Sequence, residues 1–509
     1  MPSKHNTNTD DEERGTVNDG VTRRDALRVG AGAAVAVAGA STVGSAAAQT
    51  ALGGSGTESD PYLIESVEDL DAVRNDLSAH YNLTSDIDLS GTDWEPIGSA
   101  STGFTGTFDG NGHVVNGLTI DTSSTDYVGL FAYAGEGAEI RGLTLSDVDI
   151  EGRDYVAALA GYTWRATVSN ITLESVTVTG RERVGGVVGQ ASSTTVTTVC
   201  ASAVSVHPND TAAHTHGAIA GALLGPSVLR DTYAAGTIDS PSDMDATSRA
   251  GGAVGILGGL IDTVQTDVTV TAHTTAGGVA GDIDPGQTGS DRGVITATAS
   301  VGDVTITGGN SAAGGIAGNT DGLDGQSRVS DVRSLSDVSA PAADSLTHAA
   351  GIVGDPDTET TVERVYYAGS VSAADGSVGG AVAEQHATVT AVYFEDGAVD
   401  GTPVDGSYSG VTSVTTDALT GSNAQDTLTD FDWGDVWTVV PGGYPALTAQ
   451  PPRDCAPDPN GTETTTEPAV GGGVAGDDAS ISVLSLLPWG VAALIGLAEL
   501  DKDDGGDGK

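Results

Sequence analysis

Lysine is almost absent from this 509-residue chain. Lys4, Lys502 and Lys509 stand beside 17 arginines and 70 acidic residues, and the formal charge is -50. So few cations cannot build a basic face, which excludes nucleic-acid binding by phosphate neutralisation. Stable contact with an anionic membrane surface is excluded for the same reason. Aromatic residues make up only 4%. The two cysteines, Cys200 and Cys455, are too few for a disulfide framework or a four-cysteine zinc site. No H-E-x-x-H, G-x-S-x-G, Walker A or Rossmann string is present. The sequence therefore predicts no enzyme, no cofactor and no metal centre.

What is abundant is glycine, 73 residues, together with Val, Thr and Asp; 38% of the chain is hydrophobic. That is enough apolar material for a core, in a pattern of short strands and turns rather than helices. A Lys-poor, Asp-rich surface suits high salt, where ions screen the self-repulsion and carboxylates hold water.

The two ends differ from the body. Arg23-Arg24 precedes a charge-free Ala/Gly run from Val29 that closes with Ala46-Ala47-Ala48. This predicts a twin-arginine export signal over 1–48, cleaved near Ala48. At the other end, 448–478 reads as a Pro/Thr/Gly linker. It is followed by an uncharged stretch within 479–500, which predicts a transmembrane helix. An acidic tail, 501–509, closes the chain. The expected location is the extracellular face of the cell membrane.

Between these ends a Gly-Gly-apolar-apolar-Gly unit recurs. Gly185 to Gly189, Gly251 to Gly255, Gly277 to Gly281 and Gly314 to Gly318 are its full copies. Looser copies end at Ala132, Gly161, Gly221, Gly354 and Ala383, so the spacing runs from 26 to 37 residues. A short apolar pair follows most copies, as in Ile140/Leu143, Val168/Ile171, Val196/Val199 and Val362/Val365. Such units, with insertions absorbed in loops, define a solenoid. Their strand-like pieces predict an all-β parallel β-helix of about nine coils over 121–400. An N-terminal α/β cap with the first strands is expected over 49–120, and a C-terminal cap over 401–447. In the N-terminal cap, Ser66 N-caps a helix whose apolar face is Val67, Leu70, Val73 and Leu77.

Over roughly 61–447 the units resemble the GLUG motif of bacterial and archaeal surface proteins, also found beside the protease domain of immunoglobulin A1 proteases. Trp94-Glu95-Pro96-Ile97-Gly98 and Phe104-Thr105-Gly106-Thr107-Phe108-Asp109-Gly110 fit the start of such an array, and Gly443-Tyr444-Pro445-Ala446-Leu447 fits its end. The resemblance implies a β-helix on an exported surface protein and carries no catalytic residues.

One constellation stands out. Aligning coils by their glycine units stacks Tyr127, Tyr155 and Arg183, each 28 residues apart, and Arg153 on Arg181; Trp164 lies nearby. Beside them runs an acidic row of Asp126, Asp154 and Glu182. This edge is either a self-satisfied ladder or a glycan-binding strip, with aromatic faces for sugar CH surfaces and charged groups for hydroxyls. Asn209 and Asn460 are candidate glycosylation acceptors. His207, His214 and His216, and the Asp/Gly turns at Asp109 and Asp321, read as loop features rather than metal sites. The function expected is a non-enzymatic, adhesin-like or envelope-associated surface protein. Its partners would be surface glycans or other envelope proteins, with the membrane reached through the C-terminal helix. A polysaccharide lyase or hydrolase, or a structural spacer, is the alternative.

The charge predicts salt-dependent folding. Below about 0.1 M salt the screening length exceeds roughly 10 Å, and repulsion acts between whole coils. The strand signal in circular dichroism should collapse on dilution from molar salt; an unchanged signal would refute this.

Overall fold

The computed structural model describes residues 52–451 and Cys455, apart from 210–213, 240–247, 286–291, 322–325, 342–346, 385 and 401–402. The signal, most of the linker and the expected membrane helix lie outside the described residues.

The chain winds as a parallel β-solenoid. One sheet has 19 strands and two have eight each. A coil takes one long strand, Glu139–Glu151, then Asp154–Ala157 and Ala160–Trp164; Thr167–Gly180, Glu182–Gly185 and Val188–Ser192 repeat it. Coils align residue on residue: Ile140, Val168 and Val196 share one column, and Asp154 and Glu182 another. Each coil donates to the next. Ala253 N–H reaches the Val279 carbonyl at 2.9 Å, Val279 reaches Ile316 at 2.9 Å, and Ile316 reaches Ile352 at 3.0 Å.

Two features of the sequence explain the coil. The first is the glycine pair. A Cβ on Gly252 would lie 2.0 Å from the Gly278 carbonyl oxygen, and one on Gly278 would lie 2.2 Å from that of Gly315. Only hydrogen fits where consecutive coils approach this closely. The second is the apolar pair three residues apart. In a regular strand such residues face opposite sides, yet Val168 and Ile171 are both buried, as are Val196 and Val199. A left-handed residue between them reverses the alternation. Asn170 (φ 53°), Thr198 (55°), Asp231 (51°), Thr263 (57°), Ala297 (46°), Asp331 (55°), Arg364 (52°) and Ala391 (53°) repeat this corner in successive coils.

The solenoid has about eight turns, not nine. The last glycine unit, Gly379 to Ala383, stacks on the coil before it, with Ser377–Gly379 and Thr388–Glu395 paired to that coil, but no further coil stacks on it. Its exposed donors are taken instead by the buried Asp405 carboxylate, which accepts from Gly380, Ala381 and Val382 N–H at 2.9, 2.7 and 2.9 Å. Burial pushes this carboxyl above its ordinary range while the three amides pull it down. One side chain thus stands in for the carbonyls of a missing coil.

At the other end, Ser66 caps helix Val67–Ala72 by accepting from Asp69 N–H at 3.2 Å. Leu70 and Val73 are buried with Tyr81, Phe104, Phe108 and Phe131 in the main core.

The aromatic C-terminal segment does not close the end of the rod as its position in the sequence suggests. Leu419, Phe431, Trp437 and Leu447 pack with Ala299 and Tyr366. The last two belong to the outward column Cys200, Tyr233, Gln265, Ala299, Arg333, Tyr366, Tyr393. The Arg333 guanidinium donates to the Pro445 carbonyl at 2.7 Å, and so does the Tyr366 hydroxyl. Farther along that column Cys200 is bonded to Cys455, 255 residues away in sequence. The two cysteines make no framework, but they make one bridge, which ties the start of the expected linker to the middle of the rod.

Asp405→Ala leaves three buried donors unmatched and should take about 3 kcal/mol from the last coil. Amide exchange at Ile352 and Val353, which donate to Ala381, should then accelerate roughly a hundredfold. Unchanged exchange would show that Asp405 is not the cap.

Candidate functional site

The edge singled out in the sequence lies at the turn into the strands Asp154–Ala157 and Glu182–Gly185. Tyr127, Tyr155 and Arg183 occupy equivalent corners with φ of 62°, 59° and 60°. Bulky side chains seldom adopt this left-handed backbone. The Tyr127 and Tyr155 rings stack with centroids 4.7 Å apart and planes 1° from parallel. The Arg183 guanidinium covers the other side of Tyr155, 5.1 Å from the ring centroid, and donates to its hydroxyl.

A second stacked pair, Tyr133 on Tyr162 at 5.1 Å, meets the first edge-on, with Tyr162 5.8 Å from Tyr155. Tyr133 and Tyr162 were not among the expected site residues. Their spacing of 29 residues differs from the 28 of the first pair by one. That offset hides them when coils are aligned on a single period. All four rings are half-buried. Among the described residues, no group hydrogen-bonds the Tyr127 or Tyr133 hydroxyl, whereas Tyr162 donates to Ser192 at 3.1 Å. Burial raises the pKa of both the Tyr127 and the Tyr133 hydroxyls, so they stay protonated donors.

The charged row beside the rings is matched internally. Arg153 grips Asp126 with Nε and Nη2, both at 2.6 Å, and holds that carboxyl below its ordinary range. Arg181 makes the same two-pronged contact with Asp154 one coil on, through Nε at 2.7 Å and Nη2. These arginines run from each coil to the carboxylate of the coil before. Trp164 sits apart, under the Arg165 guanidinium at 4.7 Å. Among the described residues no ring contact joins it to the tyrosines.

The remaining candidates do not converge. His216 is fully buried in its strand, and His207 lies on the long strand Thr195–Pro208. Asp109 holds Arg141 Nε at 2.9 Å and its own turn at Asn111, so this Asp/Gly turn is satisfied without a cation. The Asn209 amide donates to the Gly152 carbonyl at 2.9 Å. Arg23, Arg24, Ala48 and Asn460 lie outside the described residues. A groove of about 410 Å³ is lined by Arg292, Val294, Thr296 and Ser330; the other charged residues of its lining, Arg328, Glu363 and Asp331, sit in ion pairs, Arg328 with Glu363 and Asp331 with Arg364.

No protein-family model matches the chain. Two curated relatives match part of it. A protein of Evansella cellulosilytica named as a Gly-rich membrane protein is 40% identical over 121 residues, 22% of this chain. Halomucin of Haloquadratum walsbyi is 38% identical over 112 residues, 19% of this chain. The matches span 14% and 1% of those relatives' own lengths.

Among solved structures, a chain from Bacteroides ovatus named for an immunoglobulin A1 protease aligns over 78% of this chain and 94% of its own. Its identity is 17% and its TM-score 0.34. An IgA1 protease aligns over 59% of this chain and 21% of its own, at 18% identity and a TM-score of 0.32. Both bear protease names, which counts against the expectation that this chain is no enzyme. Likenesses this distant carry no argument for a reaction on this chain. Among the described residues no helix is long and apolar enough to cross a membrane.

Proposed function

We propose that the chain is a cell-envelope solenoid of the GLUG-repeat kind, exported and displayed outward, that contacts glycans through the tyrosine edge of its first coils. The observation that carries this reading is the corner backbone. Three consecutive coils hold Tyr127, Tyr155 and Arg183 in left-handed geometry. Such strain costs on the order of 1 kcal/mol per residue. Stacking returns roughly 0.5–1.5 kcal/mol for an aromatic pair. Two strained corners against one stacked pair leave no surplus, so stacking alone does not account for tyrosine where glycine would fit freely.

The ring faces close on one another. A sugar would therefore meet ring edges, the Tyr127 and Tyr133 hydroxyls and the outer N–H groups of Arg183, rather than an open aromatic face. Arg153 and Arg181 serve as the frame that fixes the edge. An envelope setting is supported by the relatives' names, a membrane protein and a halomucin, and by the acidic, Lys-poor composition.

Tyr155→Gly and Tyr127→Gly separate function from structure, because glycine removes the strain along with the stack. In molar salt, binding to an array of mannan, galactan and chitin oligomers should weaken at least about tenfold. The melting temperature should move by less than about 3 °C. A fall in melting temperature without any glycan retained by the parent protein would make the row a structural ladder. Release of reducing sugar in the same assay would replace the binding role with a catalytic one.

A further inference from the structure

The far end of the rod carries a set of side chains that the sequence pattern did not bring together. His348 opens the strand His348–Ala350 and Asp355 ends Val353–Asp355, while Glu384 follows the last glycine unit. One ligand-type atom from each lies within 4.8 Å of the others. All three are half-buried. His348 Nδ1 is 3.3 Å from Glu384 Oε1, and His386 Nδ1 is 3.0 Å from Glu384 Oε2.

The same two columns of the solenoid show what belongs there. Arg249, Thr275, Ala312 and His348 occupy one column, and Ile256, Asp282, Asn319 and Asp355 the other. At the earlier coils the buried Asp282 carboxylate is compensated by a cation, with Arg249 Nε at 2.6 Å, and by Asn319 Nδ2 at 3.2 Å. At Asp355 the column offers His348 in place of arginine, and a second carboxylate, Glu384, has moved in. Two carboxylates and an imidazole meet here, and among the described residues no guanidinium pairs with them.

We propose that His348, Asp355 and Glu384 bind one divalent transition-metal cation of the zinc class. Imidazole with carboxylate suits zinc and its neighbours, whereas calcium and magnesium take all-oxygen shells. Three protein ligands leave a coordination position to solvent, which marks an open site rather than a sealed structural one. His386, bonded to the other oxygen of Glu384, acts as the outer partner that orients the ligand. The cation would join the strands of the last full coil to the segment beyond it, next to the Asp405 cap.

The test is equilibrium dialysis of the 509-residue protein against zinc ions alone in molar sodium chloride, which suppresses loose association with the acidic surface. One saturable equivalent per chain is expected. His348→Ala and Glu384→Gln should each weaken it at least tenfold, and His386→Ala roughly tenfold with the count kept at one. Magnesium and calcium should not compete at equal concentration. Cobalt substitution gives an independent readout, a visible absorption band in the parent protein that Glu384→Gln removes. Circular dichroism of the metal-free variants checks their fold; if His348→Ala fails to fold, Glu384→Gln decides. Zinc uptake unchanged in Glu384→Gln, or uptake that never saturates, would overturn the proposal.

Discussion

Everything in this rod rests on the backbone ladder between coils. An N–H of one coil finds its carbonyl in the next, along three sheets at once, and no coil can complete its own hydrogen bonds. The glycine pairs exist because that ladder brings backbones too close for a Cβ. The left-handed corners exist because the long strand must bend while keeping apolar residues inward. The ladder also creates the problem of its last coil, whose donors point at no further strand. Asp405 answers it with one carboxylate bonded to three amides.

This dependence decides what the sequence can reveal. The repeat unit, the parallel winding, the helix capped by Ser66 and the coincidence of Tyr127, Tyr155 and Arg183 are all legible. Each follows from local spacing at a nearly constant period in the first coils. Counting glycine units overshoots by one coil because the unit at Gly379 looks like the others, and only the side chain 25 residues later shows that winding has stopped. The Cys200–Cys455 bridge is invisible for a different reason. It needs the chain to pass the end of the rod and return along an outer column, and no spacing rule connects residues so far apart. The cluster of His348, Asp355 and Glu384 comes from three segments in a stretch where the repeat spacing falls from 36 to 29 residues, so no single period aligns them.

The edge of the first coils shows how the ladder turns chemistry into geometry. One residue type placed once per coil becomes a row at strand spacing, about 4.8 Å. Carboxylates and arginines offset by one coil lock into Arg153–Asp126 and Arg181–Asp154, and tyrosines stack. A solenoid can present such a row with little reorganisation, since each side chain is held by the coil before and after it. The same property makes the far edge, with its carboxylates and imidazoles, a place where a cation can be fixed between strands.

The central claim is that the coil is the unit of folding and that register between coils is what stabilises it. Deleting residues 154–181 removes one complete coil and joins Arg153 to Glu182, the neighbour its equivalent Arg181 already has. Deleting Thr172 alone shortens the long strand Thr167–Gly180 by one residue and turns the faces of every residue after it in that strand. In molar salt the first variant should keep a cooperative thermal transition within a few degrees of the parent, and the second should lose it. If the two deletions behave alike, register between coils is not what holds this protein together.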